Sequence, residues 1–366
     1  MSIFSHTLII TPKQLSTFGG SVMNRRNIEV VKHVTKKSII FEIDSARPLP
    51  RLYKYTKYFT RNRGYIAELR KDDIAKIESI ISKTQDIDSI CINTSLWGVI
   101  GKKIKQLFPE IKVLFFFHNA EYQYVREIIK ENGATLKLKL QYQNHRYAEE
   151  MALRYSDFRF VLSSRDNTYL QKLLPSINHV LPMSIEDVGT IKYQLNDSAP
   201  LRLLFFGSAF FANIHGIRWF AKNVMPAVKA HLIIAGYGME KLKDELENEH
   251  ITVLGKIDNI KELYQATDIV VSSMFYGSGM KTKTAEALMF GRPIIGTNEA
   301  FSGFDSIDCN KIGKCCNTSD EFIEFLNYIE NNRGKLANYS LMSRKYYEQY
   351  YSISATKSLI ESILKE

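Results

Sequence analysis

The chain has 366 residues, 45% hydrophobic and 24% charged, which is a globular composition and enough length for two domains that each bury a core. Four cysteines (Cys91, Cys309, Cys315, Cys316) lack zinc spacing and suit a reduced, cytosolic setting, no export signal is expected at the N-terminus, and no apolar run reaches the roughly 18 residues that span a bilayer. The net charge of +10 is uneven: residues 1–185 hold 29 Lys and Arg against 17 Asp and Glu, the rest 20 against 22, so the first half calls for an anionic partner such as phospholipid, nucleic acid or a phosphorylated substrate.

In chain order, Thr7 to Thr11 reads as a first strand, followed by a loop with Gly19 and Gly20 and a helix from Val22 to Val34. Ser38 to Ile43 is a second strand. Between Arg47 and Arg63 six basic residues interleave with four aromatics and there is no acid. That mixture suits the interface of an anionic bilayer, although nucleic acid or a plain solvated helix would also accept it. The bilayer is the partner expected here, since no RNA-binding signature accompanies the segment. Helices are expected over Asp73 to Ser82 and Val99 to Leu107, and strands over Ser89 to Asn93 and Val113 to Phe117. His118, Asn119 and Glu121 then fall at a strand's C-terminal end, where open α/β sheets hold ligands. A helix from Leu136 to Tyr155, a strand from Phe158 to Leu162 and a helix capped by Ser163 complete a domain of residues 1–185.

After a polar linker, Leu201 to Phe206 runs into a tight turn at Gly207 and Ser208, and a helix follows from Asn213. Leu232 to Ala235 leads to Gly236, Tyr237 and Gly238, and Ile251 to Leu254 is a further strand. The centre of the second domain, residues 186–351, is a strand from Asp268 to Ser273. It is followed by Gly277, Ser278, Gly279, Met280, Lys281 and Lys283, a helix containing Glu286, and Gly291 as its end. Strand, glycine turn and helix start make an anion site: the turn brings backbone close, free amides face the ligand, and two lysines add charge. Helices over Asp320 to Ile329, Leu336 to Tyr351 and Ser354 to Leu364 close the chain.

Gly277 to Thr297 resembles the donor-binding signature of GT-B glycosyltransferases, in particular retaining family 4 (glycosyltransferase group 1) of the bacterial cell-surface polysaccharide type. The stretches around His118 to Glu121, Gly207 and Glu299 to Phe304 resemble further segments of that family. The resemblance implies an α/β fold of two Rossmann-like, doubly wound domains facing across a cleft, with residues 352–366 returning to the first domain. It implies that the first domain binds the acceptor and the second a nucleotide sugar. Gly19, Gly20, Gly207, Ser208, Gly236, Tyr237, Gly277, Ser278, Gly279, Met280 and Lys283 would bind the donor. His118, Lys281 and Glu286 would be catalytic, with Glu286 accepting from the ribose hydroxyls and Glu121 on the acceptor side. Family members often carry Arg and Lys after the first glycine turn; Ser208 to His215 has neither, so Lys281 is expected to supply that charge. Ser278 stands where many relatives have a glutamate that contacts the donor sugar.

Neither metal nor cofactor is expected, and a UDP-sugar is favoured over a GDP-sugar. The implied activity is transfer, with retention, to a lipid-linked saccharide at the inner face of the cell membrane, by a cytoplasmic, peripheral enzyme that does not bind nucleic acid. A non-catalytic carbohydrate- or membrane-binding subunit and a nucleotide-sugar epimerase are the alternatives.

Overall fold

The computed structural model describes residues 2–13, 20–44, 64–67, 69–189, 191, 199–277 and 279–366. The basic–aromatic segment 47–63, Gly19 and Ser278 lie outside them. The chain divides into two compact units, Met1–Pro182 with Thr356–Glu366, and Met183–Ala355.

The first unit is a parallel six-stranded sheet ordered β2-β1-β3-β4-β5-β6. Its strands are β1 (Phe4–Pro12), β2 (Thr35–Ile43), β3 (Ser89–Ile92), β4 (Lys112–Phe117), β5 (Phe158–Val161) and β6 (His179–Val180). Alternate residues face opposite layers, as a period of two requires. Leu8, Ile10, Ile90, Ile92, Phe115 and Phe117 pack on one side. Ile9, Cys91, Leu114 and Phe116 pack on the other. Both layers are apolar because helices cover both faces, which is why these strands read as unbroken hydrophobic runs. The helices are α1 (Gly20–Val34), α2 (Lys71–Lys83), α3 (Gly98–Leu107), α4 (Glu121–Asn132), α5 (Leu136–Arg154) and α6 (Ser164–Leu173). The end of the chain contributes Ile360, Ile363 and Leu364 to the second layer, beside Phe4 and Val30.

The second unit is also a parallel six-stranded sheet, ordered β12-β11-β10-β7-β8-β9. It comprises β7 (Leu201–Phe206), β8 (Ala230–Ala235), β9 (Ile251–Val253), β10 (Ile269–Ser272), β11 (Ile294–Gly296) and β12 (Gly313–Cys315). Its longer helices are α7 (Phe211–Asn223), α8 (Ile260–Gln265), α9 (Thr282–Met289), α10 (Ser319–Glu330) and α11 (Lys335–Tyr346), and α12 (Ile353–Lys365) closes the chain. Leu203, Phe205, Leu232, Ile234 and Val271 form its core with Ile217, Phe220 and Phe322. The helix expected over Leu336 to Tyr351 ends at Tyr346 and continues as a π turn from Tyr347 to Tyr351.

Strand order reverses between β1 and β3 in one sheet and between β7 and β10 in the other. Connections leave such neighbours in opposite directions, which opens a crevice at their C-terminal ends. Most of the residues singled out from the sequence lie at or beside those ends.

Candidate functional site

In the second unit, Gly207 follows β7 and Gly236 follows β8. Their backbones touch: a Cβ on Gly236 would lie 2.1 Å from the Gly207 carbonyl oxygen, and Gly236 has φ +133°. No other residue fits there. The Ala209 amide donates to the Tyr237 carbonyl at 2.8 Å, which ties the two turns together, and the Tyr237 side chain stays exposed. Ser208 is exposed, and its carbonyl accepts from Asn213 Nδ2 at 2.8 Å.

Lys281 and Lys283 divide the work between two turns. Lys283 Nζ donates to Asn213 Oδ1 at 2.5 Å and lies 4.4 Å from the centre of the Phe205 ring. It is 3.4 Å from the point a Gly207 Cβ would occupy, so it is Lys283 that brings charge to the first turn. Lys281 Nζ stands at Gly277 instead. It donates to the Gly279 carbonyl at 2.8 Å and pairs with Glu299 at 2.6 Å. Both side chains are only 6% exposed. Burial, with help from Lys281, lowers the Lys283 ammonium to a pKa of about 7.

Lys281 is also the N-cap of α9 and provides no side-chain cap; the first turn holds no acid. The Thr284 amide turns back to the Lys281 carbonyl at 3.1 Å, and the amides of Thr282 and Lys283 remain available to an anion. Met280 is buried, and its sulfur accepts from the Met183 amide at 3.1 Å, which fixes the turn from below. Gly291, with φ +63°, ends the helix as expected. Glu286 sits one turn into α9, partly exposed, and accepts from the Tyr264 hydroxyl at 3.2 Å. Desolvation raises its carboxyl to a pKa of about 7, against the opposing effects of Tyr264 and Lys283. Tyr264 is itself buried, stacks on Phe290 with centroids 4.5 Å apart, and gives its carbonyl to the buried Arg292 at 2.8 Å. The result is a carboxylate and two ammonium groups held in a desolvated frame beside two glycine turns and a helix N-terminus.

In the first unit, His118 follows β4. Its Nε2 lies 3.0 Å from Asn27 Nδ2. The tautomer follows from the neighbours. Arg26 can only donate, and its guanidinium lies 2.6 Å from Asn27 Oδ1, so the other end of Asn27 is the NH2 group. Asn93 is oriented the same way, since its Nδ2 lies 3.1 Å from the Asn24 carbonyl and its Oδ1 accepts from Asn27 at 2.6 Å. Asn27 thus donates to both Asn93 and His118. His118 is then neutral, accepts at Nε2 and carries its proton on Nδ1. Burial and the nearby Arg26 charge lower its pKa to about 4, in the same direction. Arg26 is anchored by the Leu181 carbonyl at 3.2 Å and by Pro182 O.

Gly20 opens α1. Glu121 opens α4 and accepts from Asn119 at 3.1 Å, and burial raises its pKa. The amides of Glu121 and Tyr122 both donate to the fully buried Glu149 carboxylate at 2.9 Å. Burial, then the neighbouring Glu121, pushes Glu149 to a pKa of about 8. The structure thus brings Gly207, Gly236, Gly277, Lys281, Lys283 and Glu286 together around one end of the second sheet. His118 and Glu121 sit at one end of the first. Sequence reasoning missed Arg26, Asn27, Asn93, Glu149 and Tyr264, for which no local motif exists, and gave no role to Asn213, although it opens a helix in a recognised segment. Glu299 was within reach, because it opens a recognised segment.

Among the described residues, no group of three or more His, Cys, Asp or Glu could hold a metal ion. No helix among them is long and apolar enough to cross a membrane.

Two parallel, doubly wound sheets of this order, each with polar groups at the switch point, are the GT-B architecture. A sucrose-phosphate synthase from Thermosynechococcus elongatus superposes with a TM-score of 0.71 at 14% identity, over 99% of this chain and 98% of that one. The lipopolysaccharide outer core galactosyltransferase WaaB gives 0.70 at 13% identity, over 98% and 99%. Anabaena Alr3699/HepE, solved in complex with UDP, gives 0.70 at 14%, over 98% and 99%. No curated protein matches the sequence. The family model "Glycosyl transferases group 1" matches residues 200–328, the segment that holds both glycine turns, Lys281, Lys283 and Glu286. The chain accordingly has the GT-B fold, and its second unit carries a segment that matches the group 1 glycosyl transferases.

Proposed function

We propose that this protein transfers a sugar, with retention and without a metal, from a nucleotide-diphosphate sugar to a lipid-linked saccharide in cell-surface polysaccharide synthesis. The observation that carries the donor half is the pair of buried lysines at two glycine turns beside the uncapped start of α9. Fixed donors and cations in a dry site stabilise the charge that develops on a departing diphosphate, and they need no reorganisation when it forms. On this reading Lys283 and the Gly207 turn hold one phosphate, and Lys281 with Gly277, Ser278, Gly279 and Met280 holds the other. Glu286 accepts from the ribose hydroxyls, and Ser208, Gly236 and Tyr237 border the nucleoside. Gly19 and Gly20 are assigned to the donor, and Ser278 matches the position of a sugar contact in many family members.

In the first unit, His118 meets the donor sugar as a hydrogen-bond donor through Nδ1–H, and Glu121 meets the acceptor. No side chain is assigned the part of nucleophile, in keeping with a front-face reaction in which the departing phosphate takes the acceptor proton. The domains are 1–185 with 352–366 for the acceptor and 186–351 for the donor. UDP is favoured over GDP, because four complexes of neighbours with this fold are named with UDP or UDP-glucose. The basic segment from Arg47 to Arg63 is assigned to the anionic inner face of the cell membrane, with the enzyme peripheral to it.

The test is a thermal-shift panel of UDP-, GDP-, ADP- and CMP-sugars with and without EDTA. Ligand that binds only the native state raises the melting temperature. A shift with a UDP-sugar that EDTA leaves unchanged is expected; no shift with any of the four would overturn the donor assignment.

A further inference from the structure

A cavity of about 450 Å³ lies in the first unit between α4, α5 and α6. That is within the range of small-molecule sites, about 300–1,000 Å³. Each helix supplies one tyrosine with a basic residue about one turn further on: Tyr122 and Arg126 from α4, Tyr142 and Arg146 from α5, Tyr169 and Lys172 from α6. Lys130 adds a second turn of α4. Residues three or four apart share a helix face, so each pair points the same way. Among the described residues, no carboxylate lines the cavity and none of its four cations forms an ion pair.

The tyrosine frame is held firmly. Tyr122 is 7% exposed, its amide is bound by Glu149, and its hydroxyl donates to the Tyr169 carbonyl at 2.8 Å. The Tyr122 and Tyr142 rings meet edge to face at 6.1 Å, and Lys172 Nζ lies 5.7 Å from the Tyr169 ring centre. Four like charges around one concave space repel one another, and that repulsion is relieved when a multivalent anion enters. A planar guanidinium on each of two helices matches two oxygens of a phosphate, whereas Lys130 and Lys172 act as point charges. Arg126 and Lys130 belong to the same α4 whose first residues, Glu121 and Tyr122, follow His118.

We propose that this cavity binds the phosphate-bearing end of the acceptor, a mono- or diphosphate ester. This deepens the transferase reading and rests on it. It assigns acceptor recognition to Arg126, Lys130, Arg146 and Lys172 rather than to the basic segment near residue 50.

The experiment is calorimetric titration of the full-length protein with inorganic pyrophosphate, in a Lys283→Met background that weakens the other phosphate site. The Arg126→Ser/Arg146→Ser variant is compared with a control, Lys103→Ser/Lys139→Ser, that removes the same charge outside the cavity; all four side chains are exposed. Binding should fall at least tenfold in the arginine variant and persist in the control. Equal loss in both would reduce the effect to net charge and overturn the proposal, as would unchanged binding in the arginine variant or no binding at all. Sedimentation with phosphatidylcholine vesicles, with and without phosphatidic acid, separates the sources. Acidic-vesicle binding that the arginine variant loses assigns a lipid phosphate, whereas pyrophosphate binding without vesicle binding assigns a soluble phosphate ester. The nucleotide-sugar melting panel reads the second unit independently, so failure of the donor reading is seen separately.

Discussion

At the ends of β3 and β4 a single buried cation sets a chain of neutral groups: Arg26 orients Asn27, the Asn24 carbonyl orients Asn93, and Asn27 orients His118. At the ends of β7 and β10 the groups are charged, and burial outweighs their mutual relief. Lys283 and Glu286 both sit near pKa 7, one lowered and the other raised, although each moderates the other. The difference teaches what each place is built for. A hydrogen-bonded chain of amides holds one ring in one tautomer and changes little when substrate arrives. A cluster of underpaid charges is unfavourable when empty and becomes favourable when an anion completes it. The first is a positioning device, the second an anion trap.

Four variants can break or sharpen this contrast. Lys283→Met should cost the largest amount, about a hundredfold in nucleotide-sugar affinity by titration, since a hydrogen-bonded charge is removed from a dry site. The same variant tests the strain of the empty site. Folded Lys283 deprotonates near pH 7 and the unfolded lysine near 10.5, so its penalty is complete below pH 7 and is lifted between those values. Native stability should therefore rise with pH across that window, and the rise should flatten in Lys283→Met; an unchanged slope would show that Lys283 is not strained.

Gly236→Ala should destabilise the protein by about 2 kcal/mol in urea melts, because the new methyl meets the Gly207 carbonyl in a backbone region that favours glycine. A neutral result would mean the two turns are free to part. Glu286→Gln is expected to weaken nucleotide-sugar binding about tenfold. Its folded pKa is raised to about 7 from 4.5, so the stability it contributes is present below pH 4.5 and is lost as pH rises through 7. The glutamine variant should lack that fall. The smallest effect belongs to the amide network. Asn27→Asp replaces the donor facing His118 by an acceptor, which should move the ring proton to Nε2, raise the histidine pKa above about 4 and lower kcat about fivefold. Nitrogen-15 NMR of the ring reads the tautomer directly; an Nε2-bound proton in the unaltered protein would remove the positioning role.

Much of this was legible in the chain itself. Buried parallel strands announce themselves as unbroken apolar runs, because both faces of the sheet are covered, and Val113 to Phe117 and Asp268 to Ser273 read correctly for that reason. The turn from Gly277 onward was visible because its chemistry is contiguous: glycines, lysines and a helix start lie within about ten residues. Helix α4 was not visible. Its N-cap, Ala120, offers no side-chain cap, and the carboxylate that binds its first amides, Glu149, lies 28 residues further along in another helix. The roles of the two lysines were also undecidable by spacing. Lys281 lies nearer the glycine turn in sequence, yet Lys283 is the one that reaches Gly207, because the phase of α9 and the placement of Asn213 on α7 direct it there.

Sequence alone therefore determined what is local: strand and helix periods, the turns that demand glycine, and the contiguous anion-binding segment. Tertiary structure decided which distant groups meet, namely Asn27 with His118, Tyr264 with Glu286, and three tyrosine–cation pairs around one cavity. The physical reason is that hydrogen bonds, desolvation and like-charge repulsion act over a few ångströms of space, whereas these groups are brought together from separate elements of the chain.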